Sequence, residues 1–206
     1  MSKEISPLRS ALDSLLRLAK GLDRLQSDDP FTLKEPVMWG WHAVGLLAYL
    51  RLQPARHTFD AWIQDYLHEG SLELNVERDA HWEERERLSL LELLDLLSQA
   101  DLPSLKPEFY QGWQDRTVRC RNLRAKVEKV IGRCLDEEHR QDLLLLLAAY
   151  HRLIRLPAGV IVDADQVIKA FPALFDLIEM LIDKNGTKVD LLTEALEKCR
   201  QALPSN

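Results

Sequence analysis

Cysteine is scarce: Cys120, Cys134 and Cys199 are the only three among 206 residues. An odd count without CxxC spacing argues against a disulfide framework and against a thiolate zinc site, and it fits a reducing cytoplasm. None of the six histidines (His42, His57, His68, His81, His139, His151) forms HExxH or HxxxH, so the familiar helical zinc motif is missing. There is no GxxxxGK[ST] phosphate loop, no GxGxxG turn and no GxSxG elbow. The opening residues, Met1 to Ser10, carry no charged-then-apolar leader. The apolar run from Val37 to Leu52 is interrupted by His42 and Arg51 and is too short for a bilayer core of roughly 30 Å, so no membrane span is expected. An excess of positive charge is also missing. The net charge is −6 and the pI near 5.6, which restricts any nucleic-acid contact to a local patch.

What is present is an ordinary globular composition, 46% hydrophobic and 29% charged, able to bury a core without staples. The charge is uneven. Residues 1–103 carry 11 Lys and Arg against 18 Asp and Glu. Between Arg116 and Arg133 the imbalance reverses: Arg116, Arg119, Arg121, Arg124, Lys126, Lys129 and Arg133 face a single acid, Glu128. At 100° per residue, Cys120, Leu123, Val127, Val130, Ile131 and Cys134 share one narrow arc, and Arg121, Arg124, Lys126, Lys129 and Arg133 point elsewhere. This stretch is therefore expected to be a helix with an apolar stripe and a basic outer face.

The rest of the chain reads as helices. Ser6 and Pro7 open the first, whose stripe is Leu8, Ala11, Leu12, Leu15, Leu16, Ala19 and Leu22. The second, from Pro36 to Leu52, is apolar nearly all round and should be central. Gly40 and Gly45 weaken it by about 1 kcal/mol each and would let a neighbour approach. Gln53-Pro54 is expected to end it, and Thr58 to cap a third helix as far as Gly70. A fourth runs over 79–98, with Leu88, Leu91, Leu94 and Leu97 as its core face, and the basic helix over 107–134 is the fifth. Asp136 caps the sixth, which runs to about Leu156. Asp163 caps the seventh, with Pro172 inside it, and Thr187 caps the eighth, striped by Val189, Leu192, Ala195, Leu196 and Cys199. The expected fold is all-α: a multi-helix bundle of about eight helices without significant sheet. The chain reads as one domain over 1–206, with a sub-boundary at 99–107 as the alternative.

Motifs for chemistry are few. Asp65…His68 and Asp136…His139 place carboxylate and imidazole on one helix face, as dimetal bundles do, but capping accounts for the aspartates. Glu83…Glu86 and Glu92…Asp95 have the pair spacing of helical magnesium hydrolases. Both pairs fall on one helix and so do not wrap one cluster. His42 is expected to be a core histidine with one satisfied hydrogen bond. Ser6, Ser10 and Ser14 are expected to cap or face solvent, with no histidine near. The tryptophans Trp39, Trp41, Trp62, Trp82 and Trp113 all read as core anchors, with Trp82 and Trp113 beside charged segments.

Arg121-Asn122, within a helix that follows a leucine-rich helix and a loop, resembles the start of the motif of HEPN domains. Lys126 stands where that family has its histidine, while Arg51 to His57 and Arg133 to His139 have the Arg-to-His spacing. HEPN domains are small all-α bundles of toxin–antitoxin, defence and RNA-processing systems, many of them metal-independent ribonucleases. The resemblance implies that Arg121 or Arg133 would hold a scissile phosphate, with His139 as general acid or base. A version lacking the histidine would bind phosphate groups without cleaving.

The leading expectation is a non-catalytic, cytoplasmic helical bundle without cofactor or metal. It would act by binding a protein partner or a second copy of itself through the basic helix. A HEPN-like RNA-binding protein or ribonuclease is the alternative, and a metal-dependent helical hydrolase the second alternative.

Overall fold

In a computed structural model of the chain, residues 6–25, 29–69, 93–94, 97–98, 128–155, 162–184, 186 and 188–204 are described, with α2 side chains given as far as Arg51. Five α-helices stand out: α1 (Pro7–Leu22), α2 (Lys34–Glu69), α3 (Glu137–Tyr150), α4 (Ala164–Leu181) and α5 (Val189–Ala202). A short 3-10 helix, Pro30–Leu33, makes six among the described residues, and a π-helical turn, His151–Arg155, extends α3. No strand occurs among the described residues; Ser98 and Leu135 form an isolated parallel bridge. The all-α expectation holds.

The expected count of about eight helices does not carry over in detail. The second and third expected helices are one: α2 runs unbroken through Pro54. A proline inside a helix removes one backbone hydrogen bond and crowds one carbonyl, a local cost of about 3 kcal/mol. The ladders on either side remain intact, and each flank has its own apolar helical pattern. Most of the fourth and fifth expected helices and the boundary at 99–107 lie outside the described residues. From the fourth, Leu94 and Leu97 are buried as expected, together with Leu93. From the fifth, helix covers 128–131 and stops at Gly132, short of the expected end. Gly132 has φ +83, and its N–H donates to Glu128 O at 2.6 Å, the single-bond left-handed helix stop.

Capping residues set the helix starts. Asp136 accepts the N–H of His139 (2.8 Å) and Asp163 that of Gln166 (3.2 Å). Ser6, the expected cap of α1, makes no side-chain capping bond. The expected cap Thr187 lies outside the described residues; the residue at the start of α5 is Lys188, in the left-handed region at φ 65.

α2 packs against α1, α3 and α4, the central position that its all-round apolarity implied. Val37, Trp41, Ala43, Val44 and Leu47 are buried, and they join one core cluster with residues of α1, α3, α4 and α5 and with Leu93, Leu94, Leu97 and Leu135. A Cβ on Gly40 would meet Leu174 Cδ2 at 2.5 Å, so this glycine does let α4 close in, whereas Gly45 faces open space. Arg51 ties three elements together: Nη1 pairs with Asp183 Oδ1 at 2.5 Å and Nη2 donates to Val130 O at 2.8 Å. Val130 ends a helical turn, so its carbonyl lacks a helical partner and takes one from the arginine. No helix among the described residues is long and apolar enough to cross a membrane.

Candidate functional site

The densest group of titratable side chains gathers where α3 begins. Asp136 caps α3, and its Oδ1 accepts both the backbone N–H of His139 and, at 2.7 Å, the ring Nδ1–H. A histidine at the third helical position reaches back over its own cap, so the Asp136…His139 spacing serves helix capping. On the other side of the ring, Nε2 lies 3.1 Å from Asp176 Oδ2 on α4. Asp176 Oδ1 in turn faces Arg200 Nη2 of α5 at 3.4 Å. Arg200 also pairs with Glu179 (2.6 Å) and Glu197 (2.5 Å). Arg133, from the turn after Gly132, donates to the Asp176 carbonyl at 3.2 Å.

Two carboxylates, one on each ring nitrogen, require both nitrogens to carry protons, so the arrangement favours the imidazolium. The Asp136 hydrogen bond, working against partial burial and joined by Asp176, holds the His139 pKa above its usual 6.5. The same contact works in reverse on Asp136, whose carboxyl is held below its usual 3.8 chiefly by the His139 N–H. Glu179 is likewise lowered, chiefly by its bond to Arg200.

The two ring nitrogens point in opposite directions, so Asp136, His139 and Asp176 do not converge on one point; no metal-binding group of three forms among the described residues. Among the described residues that make these contacts, four carboxylates and three cations gather, with Arg133 held by a backbone carbonyl. The cluster is superficial, with the His139 side chain 36% exposed and that of Asp136 64%. A separate open groove of about 350 Å³ lies between α1 and α5, bordered by Leu16, Lys20, Asp23, Lys198 and Gln201.

Of the residues expected to carry function, Arg116, Arg119, Arg121, Arg124 and Lys126 lie outside the described residues. Lys129 is exposed beside buried Ile131, as the helical wheel required. Arg133 and His139 are brought together through Asp176. Arg51 of the other Arg-to-His spacing is a structural tie, and nothing is described of the His57 side chain.

One pairing contradicts the expectation for Ser14 and His42. Ser14 is buried at 1% exposure, and its Oγ lies 2.8 Å from His42 Nδ1. His42 itself is exposed, not core, with Trp39 edge-on to its ring at 5.8 Å. The Arg17 guanidinium lies 4.8 Å over Trp39 and pairs with Asp13. Ser14 donates its hydroxyl proton to Ser10 O at 2.7 Å, so His42 Nδ1–H is the donor between the two. A hydroxyl sealed in the core and donating to its own helix is a brace between α1 and α2, not a nucleophile. The spacing Ala11, Ser14, Leu18, Leu22 was the signal for its burial.

Comparison of the chain with protein-family models, with curated proteins and with solved structures finds no match.

Proposed function

We propose that this chain is a non-catalytic helical bundle that works by binding a protein partner or a second copy of itself, with the basic stretch 116–133 as its recognition surface. The observation that carries the reading is the pairing of His139. Of the two Arg-to-His spacings, the one whose side chains are described ends at His139, and carboxylates hold both of its nitrogens. A base needs a free lone pair and an acid needs a proton aimed at substrate, and this ring offers neither. At the described end of the basic stretch, buried Ile131 anchors the helix while Lys129 faces solvent, which suits a recognition face.

A second reading, a HEPN-like ribonuclease, draws support from one contact: Arg133 and His139 both reach Asp176. One experiment separates the two. Purified protein is incubated with mixed RNA in EDTA, beside His139→Ala. Equal survival of the RNA supports the binding reading. Cleavage by wild type that His139→Ala abolishes overturns it. Sedimentation at rising protein concentration and salt then tests self-association, which Arg121→Glu with Arg124→Glu should remove.

A further inference from the structure

His139 is surrounded from several directions. Asp136 reaches it from outside α3, and Asp176 from α4, with Glu179 one turn further along. Arg200 and Glu197 come from α5 behind Asp176, and Arg133 from the turn after Gly132. On α3 itself Arg140 pairs with Glu137 at 3.5 Å. From α2, Arg51 is committed to Val130 and Asp183. Leu97 and Ser98, which bridge to Leu135 nearby, add no charge.

We propose that His139 is a proton-controlled latch, whose doubly protonated ring docks the start of α3 onto α4, and whose neutral ring releases it. The argument is one of donors. A neutral imidazole has a single N–H and serves one carboxylate. The bond to Asp136 is shorter, 2.7 against 3.1 Å, and joins residues three apart on a frame already fixed by the cap. The remaining proton stays there. Nε2 then turns a lone pair toward the Asp176 carboxylate, and the link between α3 and α4 becomes repulsive. Asp176 keeps Arg200, and Arg133 keeps its bond to the Asp176 carbonyl, so the turn stays tethered there and what the neutral ring gives up is the side-chain link from the start of α3 to α4.

The direction of the His139 shift agrees with the geometry. A raised value means that the contribution is fully present below the ordinary 6.5 and is lost as pH rises through the folded value. At the acid end Asp136 is lowered, so its share is lost only as pH falls through a value below 3.8. The latch is therefore closed below 6.5 and opens as pH rises through the folded value. It stands whether or not the basic stretch binds anything.

The test uses isotope-labelled full-length protein between about pH 5 and 9. The His139 ring is titrated by NMR, and amide exchange is followed for residues 133–140 as protection factors, which divide out intrinsic pH dependence. The expected ring midpoint lies above 6.5, and protection falls across that same titration, by up to the factor separating the folded and released acid constants. Asp176→Asn should bring the midpoint down toward 6.5, and His139→Gln should remove the step in protection. A wild-type midpoint at or below 6.5, or protection that does not step with the ring, overturns the latch. Should either variant fail to fold, the two wild-type curves decide.

Discussion

His139 Nε2 and Asp176 Oδ2 meet at 3.1 Å across 37 residues of sequence, joining α3 to α4 through one imidazole. Their coupling is measurable by a double-mutant cycle with His139→Gln and Asp176→Asn. The His139 side chain is more than a third exposed, so solvent screens the pair and the interaction energy should be at most about 1 kcal/mol. It should be largest below pH 6.5, where the ring is charged, and should vanish above the raised folded pKa. Urea unfolding of the four proteins at a mildly acidic and an alkaline pH checks this. An interaction energy equal at both would show that the link is not ionic.

The two glycines of α2 should respond in opposite ways. At Gly45 a Cβ meets nothing within 4 Å, so Gly45→Ala gains helix propensity without a clash and should stabilise by up to ~1 kcal/mol. At Gly40 the same Cβ would come within 2.5 Å of Leu174 Cδ2, on a side chain that is itself fully buried. Overpacking a filled core costs about 1–3 kcal/mol, which outweighs the propensity gain, so Gly40→Ala should destabilise by roughly 1 kcal/mol. Urea midpoints at unchanged m-value measure both. A stabilising Gly40→Ala would mean that α4 does not press on α2 there.

What could be read from the sequence is what is local. The stripes of α1 and α5, the caps Asp136 and Asp163 and Pro172 inside α4 all follow from neighbours within a few turns. Leu16, expected in the α1 stripe, is instead 45% exposed, while Leu18 is buried, because a stripe one residue too wide includes a flank position. Pro54 misled because propensity prices one residue and a 36-residue helix spreads that price over many bonds. The candidate site was half legible. Asp136 and His139 stand three apart, but Asp176 and Arg200 carry no local signal and become partners only when three helices pack. Ser14 and His42, 28 residues apart, were missed for the same reason.

The Ser14 hydroxyl should decide the tautomer of His42. With its only proton on Ser10 O, Ser14 accepts from Nδ1–H, leaving Nε2 as the unprotonated nitrogen of the neutral ring. In Ser14→Ala the acceptor is gone, and His42, being exposed, turns to water. Nitrogen-15 shifts of the ring at high pH should show the Nδ1–H form in wild type and a mixture or the other form in the variant. The lost hydrogen bond should cost about 1 kcal/mol, partly offset by the better helix propensity of alanine. An unchanged tautomer would remove the brace between α1 and α2.

Cys199 should report whether the two ends of the chain are docked. It is fully buried on α5, and its thiol donates to Leu15 O of α1 at 3.2 Å, 184 residues away. Burial pushes the thiol up to about 12. At pH 8 that leaves roughly one thiol in ten thousand as the reactive thiolate, before any steric barrier is counted. Alkylation by iodoacetamide, followed by peptide mass spectrometry, should therefore mark Cys134, which is only half-buried, well before Cys199 in native protein. In denaturant the two should react at similar rates. Because Cys199 is covered by α1, its native labelling requires α5 to leave α1, and its rate should fall when either helix is stabilised. Rapid labelling of Cys199 under native conditions would mean that α1 and α5 part far more easily than a buried contact of this kind allows.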